Sequence, residues 1–567
     1  SEGFYETAVS YTLIPKHPEK ALSESDSLPK TDAGPGPLEN DPSARNSHPP
    51  EVIVEFHITE GLPVIVRDIV VECLCTLETM TADQIRHGIP LQAGRIFRTS
   101  EYEKAKTTIK KLLGNKAYPF AEVEGSALVD LNDHSAVITL HIEPGELFYF
   151  GEIRISGHEG YVREKTIRRA VTVQPGEKYS DAALDASRRN LFDLNVFKSA
   201  AVHPGEPVYE NNTVPVDVQV TPREKRSVKL GLGYGTDDGV RLQAAWTYRN
   251  LTQRADRLTF QARRSDILEN IYGEYLVPYF LSAENNLVVT GGFKREEKDY
   301  YTLNSTSAEA GFYRKLDMIW FSTFGYNLEV NRPEDVRTQD ADGLTDPRDT
   351  ENYLVSSVKF QLERNSVDNL LNARNGSMIR FSLEHASDYI GSEINYLQPG
   401  ISGRMFVPLP QNIVLAGRVG FTTIRKTGNT EYIPISKQFF SGGSKSVRGY
   451  GFEKLGVVNK HDVIESVSGL SSFLANLELR FPVYRDFGGV VFLDAGALNN
   501  DAFAVDLDSL RYTTGLGLRY NTVIGPLQLD FGYQLNPAKS AATDDPLLID
   551  LLEKDRWYIH FNIGQSF

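Results

Sequence analysis

From residue 226 onward the chain is a succession of short runs in which apolar and polar residues alternate. The last run is the clearest: Trp557, Ile559, Phe561, Ile563 and Phe567 fall on one face, and Tyr558, His560, Asn562, Gly564 and Ser566 on the other. A two-residue period sustained over about ten residues is the sidedness of a strand with lipid on one face and water on the other. The same division recurs in VVFLDAGA, LQLDFGY and TTGLGLRY, where Asp494, Asp530 and Arg519 oppose the aliphatic side chains. The runs lie at 229–235, 239–248, 256–262, 271–279, 287–293, 307–315, 320–328, 353–362, 378–384, 396–406, 414–423, 473–481, 490–497, 512–520, 527–533 and 557–567. Their even number and close spacing predict a transmembrane antiparallel β-barrel of about 16 strands. Terse turns such as PLPQN and IGPL alternate with long polar connections such as 331–352, as short turns on one side of a membrane and long loops on the other require.

Before residue 226 the periodicity is different. Segments 65–72 (strand), 82–88 and 101–113 (helices), and 121–129 and 136–142 (strands) form a β-α-α-β-β unit, which recurs at 148–156, 164–170, 181–194, 199–203 and 214–220. Ser100 and Ser180 stand where side-chain N-caps of the second helix belong. Two further strands, near 6–13 and 51–58, flank a tract at 15–50 rich in Pro, Ser and charge. Such a tract buries too little apolar surface to offset its ordering entropy, which predicts a flexible insertion. The chain opens on GFYETAVSYTLI, the pattern of a domain interior, and this predicts a mature or truncated start.

Composition narrows the reading. The 567 residues carry a formal charge of −15, which argues against a nucleic-acid partner. No run reaches the roughly 18 apolar residues of a spanning helix. Cys73 and Cys75 are one residue apart, too strained for a mutual disulfide, and read as small buried thiols. The glycines of 231–235 alternate along a strand with no helix after them, GGSKS lacks the spacing of a phosphate loop, and 340–351 misses the EF-hand pattern. With no GxSxG or HExxH motif and scattered histidines, neither an enzyme nor a cofactor is expected.

The stretch SGGSKSVRGY, 441–450, falls between the eleventh and twelfth runs and so in a sixth external loop. Asp494 faces inward by parity, and a buried arginine needs such a partner. Val447, Arg448, Gly449 and Tyr450, followed by Phe492, Asp494 and Gly496, resemble the signature of the BamA/TamA superfamily of outer-membrane assembly proteins, and the N-terminal units resemble its periplasmic POTRA repeats. The resemblance implies POTRA repeats followed by the barrel. Residues 1–60 are then the C-terminal part of a truncated POTRA domain with the insertion, 61–145 and 146–225 are POTRA domains, and 226–567 is the barrel. It also implies a loop folded into the lumen with Arg448 on Asp494, and a lateral seam between the first and last strands, formed by Leu230, Leu232, Tyr234, Phe561, Gly564 and Phe567.

By its POTRA count the chain is similar to the TamA branch. That resemblance implies an outer-membrane location in a Gram-negative bacterium and unfolded outer-membrane or autotransporter clients that bind by β-augmentation. It further implies a TamB-like, inner-membrane-anchored partner for the POTRA repeats. A two-partner secretion pore, a BamA-type core insertase and a passive porin or outer-membrane enzyme are the other readings.

Overall fold

The computed structural model describes residues 8–15, 52–59, 61–73, 82–337, 347–370, 372–522, 525–542, 546–552 and 555–563. Residues 16–50 of the expected insertion, Cys75, and the seam residues Gly564 and Phe567 lie outside them. Two compact units are present, 1–154 with 172–187 and 202–218, and 155–171 with 188–201 and 219–567.

The opening strands β1 (Ala8–Pro15) and β2 (Val52–Thr59) pair antiparallel. The first full repeat is β3 (Ile65–Cys73), α1 (Ala82–Gly88), α2 (Thr99–Gly114), β4 (Glu122–Asp130) and β5 (Ser135–Glu143), with β3 parallel to the central β5 and β4 antiparallel to it. Tyr102, Ala105, Ile109 and Leu113, three or four residues apart, turn one stripe of α2 into a core that includes Ile138, Leu140 and Ile142. Cys73 packs at the margin of that core. Ser100 is not the N-cap. Phe97 is held against Val64 by a backbone bond of 2.8 Å and buried, so the chain turns helical at Thr99, with an extended Arg98 before it.

The second repeat follows the same order: β6 (Tyr149–Ser156), α3 (Glu164–Ala170), α4 (Asp181–Asp193), β7 (Phe197–Pro204) and β8 (Thr213–Pro222), with β8 central. Ser180 precedes α4, yet the cap is supplied from the first repeat. Asn115 Oδ1 accepts from Ala182 N at 2.7 Å, and the Ser180 hydroxyl points at the same oxygen.

Sixteen long strands then close a barrel. In order they are β9 (Arg226–Gly235), β10 (Gly239–Arg249), β11 (Arg257–Arg264), β12 (Leu268–Val277), β13 (Asn285–Glu297), β14 (Thr302–Lys315), β15 (Trp320–Glu334) and β16 (Tyr353–Asn365). The remainder are β17 (Gly376–Ala386), β18 (Tyr396–Pro408), β19 (Val414–Thr423), β20 (Ser471–Tyr484), β21 (Phe487–Asn499), β22 (Arg511–Thr522), β23 (Gly525–Gln534) and β24 (Trp557–Ile563). Every neighbouring pair is antiparallel, and closure leaves no free edge in the membrane. Alternation places aliphatic residues outward: Leu230 is 80 % exposed and Leu232 72 %, whereas Asp494, on the opposite face of its strand from Val491 and Leu493, is fully buried.

The connections depart from the expected asymmetry in one respect. The first three external connections, 236–238, 265–267 and 298–301, are as short as the periplasmic turns, and length enters only from the fourth onward. Short links hold β9 to β14 as tight hairpins, which leaves the later loops, above all 424–470, to cover the external mouth. They do so with cores of their own: Tyr300, Tyr301, Ile435, Val458, Ile464, Leu548 and Leu551 form one apolar cluster drawn from three loops. Asp349, in the acidic loop, is buried and bonded to Tyr432 Oη at 2.8 Å and Ile435 N at 2.7 Å.

Candidate functional site at loop six and the barrel seam

Loop six, 424–470, descends between β19 and β20 and carries its own small core of Val447, Tyr450, Leu455 and Val457 against Leu498. Gly442, Gly443 and Gly449 have φ of 109°, 102° and 101°, a region that side chains disfavour. At Gly449 the need is doubled. A Cβ on the facing Gly532 of β23 would stand 2.5 Å from Gly449 N and 2.8 Å from Arg448 C, so the two backbones touch only because both lack side chains.

That contact seats Arg448 among three carboxylates. Its Nε and Nη2 donate to Asp494 Oδ2 and Oδ1, each at 2.8 Å, and its own backbone N–H donates to Oδ2 at 3.0 Å. Nη1 donates to Glu478 Oε1 at 2.6 Å and lies 3.6 Å from Asp530 Oδ2, while the guanidinium covers the Phe492 ring at 3.6 Å. Arg480 and Arg519 balance the cluster, bonding Glu478 and Asp530 respectively. Three cations against three anions, with Arg448 and Asp494 almost fully buried, give a network in which removing any one member leaves a charge uncompensated. Val447 packs at 2.5 Å from where a Cβ on Gly496 would stand, and this explains the small residue there.

Arg448, Asp494 and their neighbours are marked in the sequence, but most of the wall that holds the loop is not. Arg418 Nη1 on β19 donates to Lys445 O at 2.9 Å, Asn476 on β20 to Ser446 O at 2.9 Å, and Gln534 on β23 to Gly449 O at 2.8 Å. Strand parity set Asp530 opposite the aliphatic side chains, but Glu478 carried no signal of its own, and nothing local says which of many inward polar residues reaches a loop more than forty residues long.

The seam brings together Tyr234 and Phe561, whose rings lie 6.2 Å apart, while Leu230 and Leu232 face outward further down β9. Among the described residues the β24–β9 ladder has two register pairs, Asn562 with Gly235 and Ile563 with Tyr234, against seven between β23 and β24. Two side chains reinforce it. Arg241, fully buried on β10, donates from Nη2 to Ile563 O at 3.0 Å and Tyr234 O at 3.1 Å, clamping both seam strands. Asp237, in the first external turn, accepts from Ser444 N at 2.8 Å and Ser444 Oγ at 2.6 Å in loop six, and its other oxygen is 3.3 Å from Nδ1 of the buried His560 on β24. One carboxylate therefore joins the loop, the first hairpin and the last strand. Burial alone would raise the Asp237 pKa, but the His560 imidazole and the Ser444 donors outweigh it and hold the carboxyl below its ordinary value.

Comparison with known proteins matches this architecture. Residues 217–567 match the Omp85 superfamily domain, and 64–145 and 148–223 each match the POTRA surface antigen variable number repeat. The outer membrane protein assembly factor BamA of Neorickettsia risticii is 22 % identical over 476 residues, covering 80 % of this chain and 62 % of that protein. The chain spans about three-fifths of the length of the curated relatives it matches. BamA of Haemophilus ducreyi lacking POTRA domains 1–3 superposes with a TM-score of 0.63 at 18 % identity, over 89 % of this chain and all of that one. CdiB of Acinetobacter baumannii does so with 0.51 at 14 %, over 88 % and 89 %.

Proposed function

The chain belongs to the Omp85 superfamily, in the outer membrane with its POTRA repeats in the periplasm, and on that premise we propose that it assembles outer-membrane β-barrel clients at the seam between β9 and β24. The observation that carries this reading is the position of loop six. It enters the lumen and is bonded to β19, β20, β21 and β23, which disfavours a steady aqueous path through the barrel and leaves the seam as the exit. A client strand adding to the exposed edge of an opened seam gains main-chain hydrogen bonds there and buries its own apolar face in lipid. The role is non-enzymatic: the arginines and carboxylates of the lumen hold the loop.

The finer form of the proposal includes autotransporter clients and a TamB-like inner-membrane partner on the POTRA repeats. The BamA relatives support assembly in general, and the likeness of fold to CdiB keeps secretion of a dedicated substrate as the second reading. Tyr234→Cys with Ile563→Cys, register partners across the seam, tests the lateral route. Oxidation is expected to stop client assembly and reduction to restore it. An unchanged assembly rate in the oxidised protein refutes the lateral route, and steady wide conductance in planar bilayers favours a pore.

A further inference from the structure

The chain is acidic overall, with 60 Lys and Arg against 75 Asp and Glu, yet one place inverts that balance. Segments 161–169, 223–226 and 249–257 contain ten Lys or Arg and three Asp or Glu. They are stitched into one surface at the foot of the barrel. Tyr161 Oη donates to Arg223 O at 2.7 Å, Arg163 N to Gln253 O at 2.9 Å, Asn250 Nδ2 to Tyr161 O at 2.5 Å and Arg249 N to Lys225 O at 2.6 Å. Arg169 Nη1 donates to Tyr279 O at 3.1 Å, which ties the end of α3 to the second periplasmic turn. Within the surface, Arg168 is paired with Glu164 and Arg257 with Glu274. Arg163, Lys165, Lys225, Arg226 and Arg254 are exposed, and among the described residues none of the five has a carboxylate in ion-pair range.

Strand parity shows which way the surface opens. Arg226 begins β9 on the same face as Val228, Leu230 and Leu232, which are 65 %, 80 % and 72 % exposed and face lipid. Its guanidinium lies 5.5 Å from the ring of Tyr248, itself 6.0 Å from Trp246, which stacks on Phe260. Trp and Tyr on the lipid-facing wall mark the headgroup layer. The unpaired cations thus sit at the depth of the phosphates, beside an exposed apolar Leu251 in the first periplasmic turn.

We propose that this surface binds the anionic phospholipid headgroups of the periplasmic leaflet, with Lys165, Arg226 and Arg254 as the principal cations. Clustered cations at a membrane surface attract anionic lipid through screened Coulomb forces, and guanidinium offers paired donors to a phosphodiester. The bound lipid would lie at the foot of β9, the first strand of the barrel closure.

The test uses the whole chain, stripped in neutral detergent and then reconstituted in phosphatidylcholine bilayers doped with phosphatidylglycerol. Phosphatidylglycerol retained on re-extraction is quantified by mass spectrometry. Enrichment over the bulk bilayer is expected, decreasing with salt, and K165E/R226E/R254E is expected to lower apparent affinity about fivefold for each cation reversed. Heat-modifiable migration reports that the variant barrel is folded, and K165E alone, on the repeat and away from the barrel wall, serves if the triple variant does not fold. Equal enrichment in a folded variant and the wild type overturns the proposal. So does full displacement by millimolar inorganic phosphate, which would assign a free-phosphate site, or binding of an acidic peptide by chains that retain no phosphatidylglycerol, which would assign a peptide site.

Discussion

Arg448 grips both oxygens of Asp494, Nε on one and Nη2 on the other at 2.8 Å, while the arginine's own backbone N–H adds a third bond to the same carboxylate. Side chain and main chain of one loop residue thus converge on one strand residue. The loop can satisfy Asp494 fully in only one seating.

Arg448→Ala is expected to strand Asp494 in a buried site and leave Glu478 to Arg480 alone, at a cost of about 3–5 kcal/mol. Loop six should become protease-sensitive and the barrel should lose its heat-resistant compact form at a lower temperature. Arg448→Lys keeps the charge but not the fork and is expected to recover only part of the loss. The double variant R448A/D494N should cost less than the two single losses combined, and additivity would disprove the coupling.

Gly532→Ala tests the backbone contact separately from charge. Its methyl would stand 2.5 Å from Gly449 N, with only main chain to give way. A loss of about 1–3 kcal/mol is expected, with loop six displaced and Arg448 still present. Wild-type proteolysis of the loop would show that the contact is dispensable.

Asp237 predicts an acid-labile link between loop six and the seam. Its carboxyl is held below the ordinary value of 3.8. A carboxyl with a depressed folded pKa contributes stability that is present above the ordinary value and is lost as pH falls through the depressed one. Hydrogen exchange at 236–238 and 443–446, corrected for intrinsic rates, should therefore be slow at pH 7 and accelerate below about pH 4. Asp237→Asn should weaken the link at pH 7 by about 1.5–3 kcal/mol and flatten the acid dependence. A variant that kept the wild-type pH response would assign it elsewhere.

Asn115 caps a helix in the neighbouring repeat, so Asn115→Ala should loosen the start of α4 by about 0.5–2 kcal/mol without touching the core of its own repeat. Faster exchange confined to 181–186 is the expected reading; faster exchange throughout 99–114 would instead show damage to α2.

The strand count, the inward and outward faces, the two repeats and the place of VRGY were all legible in the sequence, because each depends on local periodicity or on order along the chain. A two-residue alternation is legible wherever lipid lies on one side. Seating the loop was partly legible: Arg448 demanded an anion and parity offered Asp494. That Glu478 and Asp530 share the charge, that Asn115 rather than Ser180 caps α4, and that Asp237 joins Ser444 to His560 emerged from the folded chain alone. Those contacts join residues between 30 and more than three hundred positions apart. Barrel closure and the depth to which loop six descends bring them within reach, and no periodicity in the chain records either.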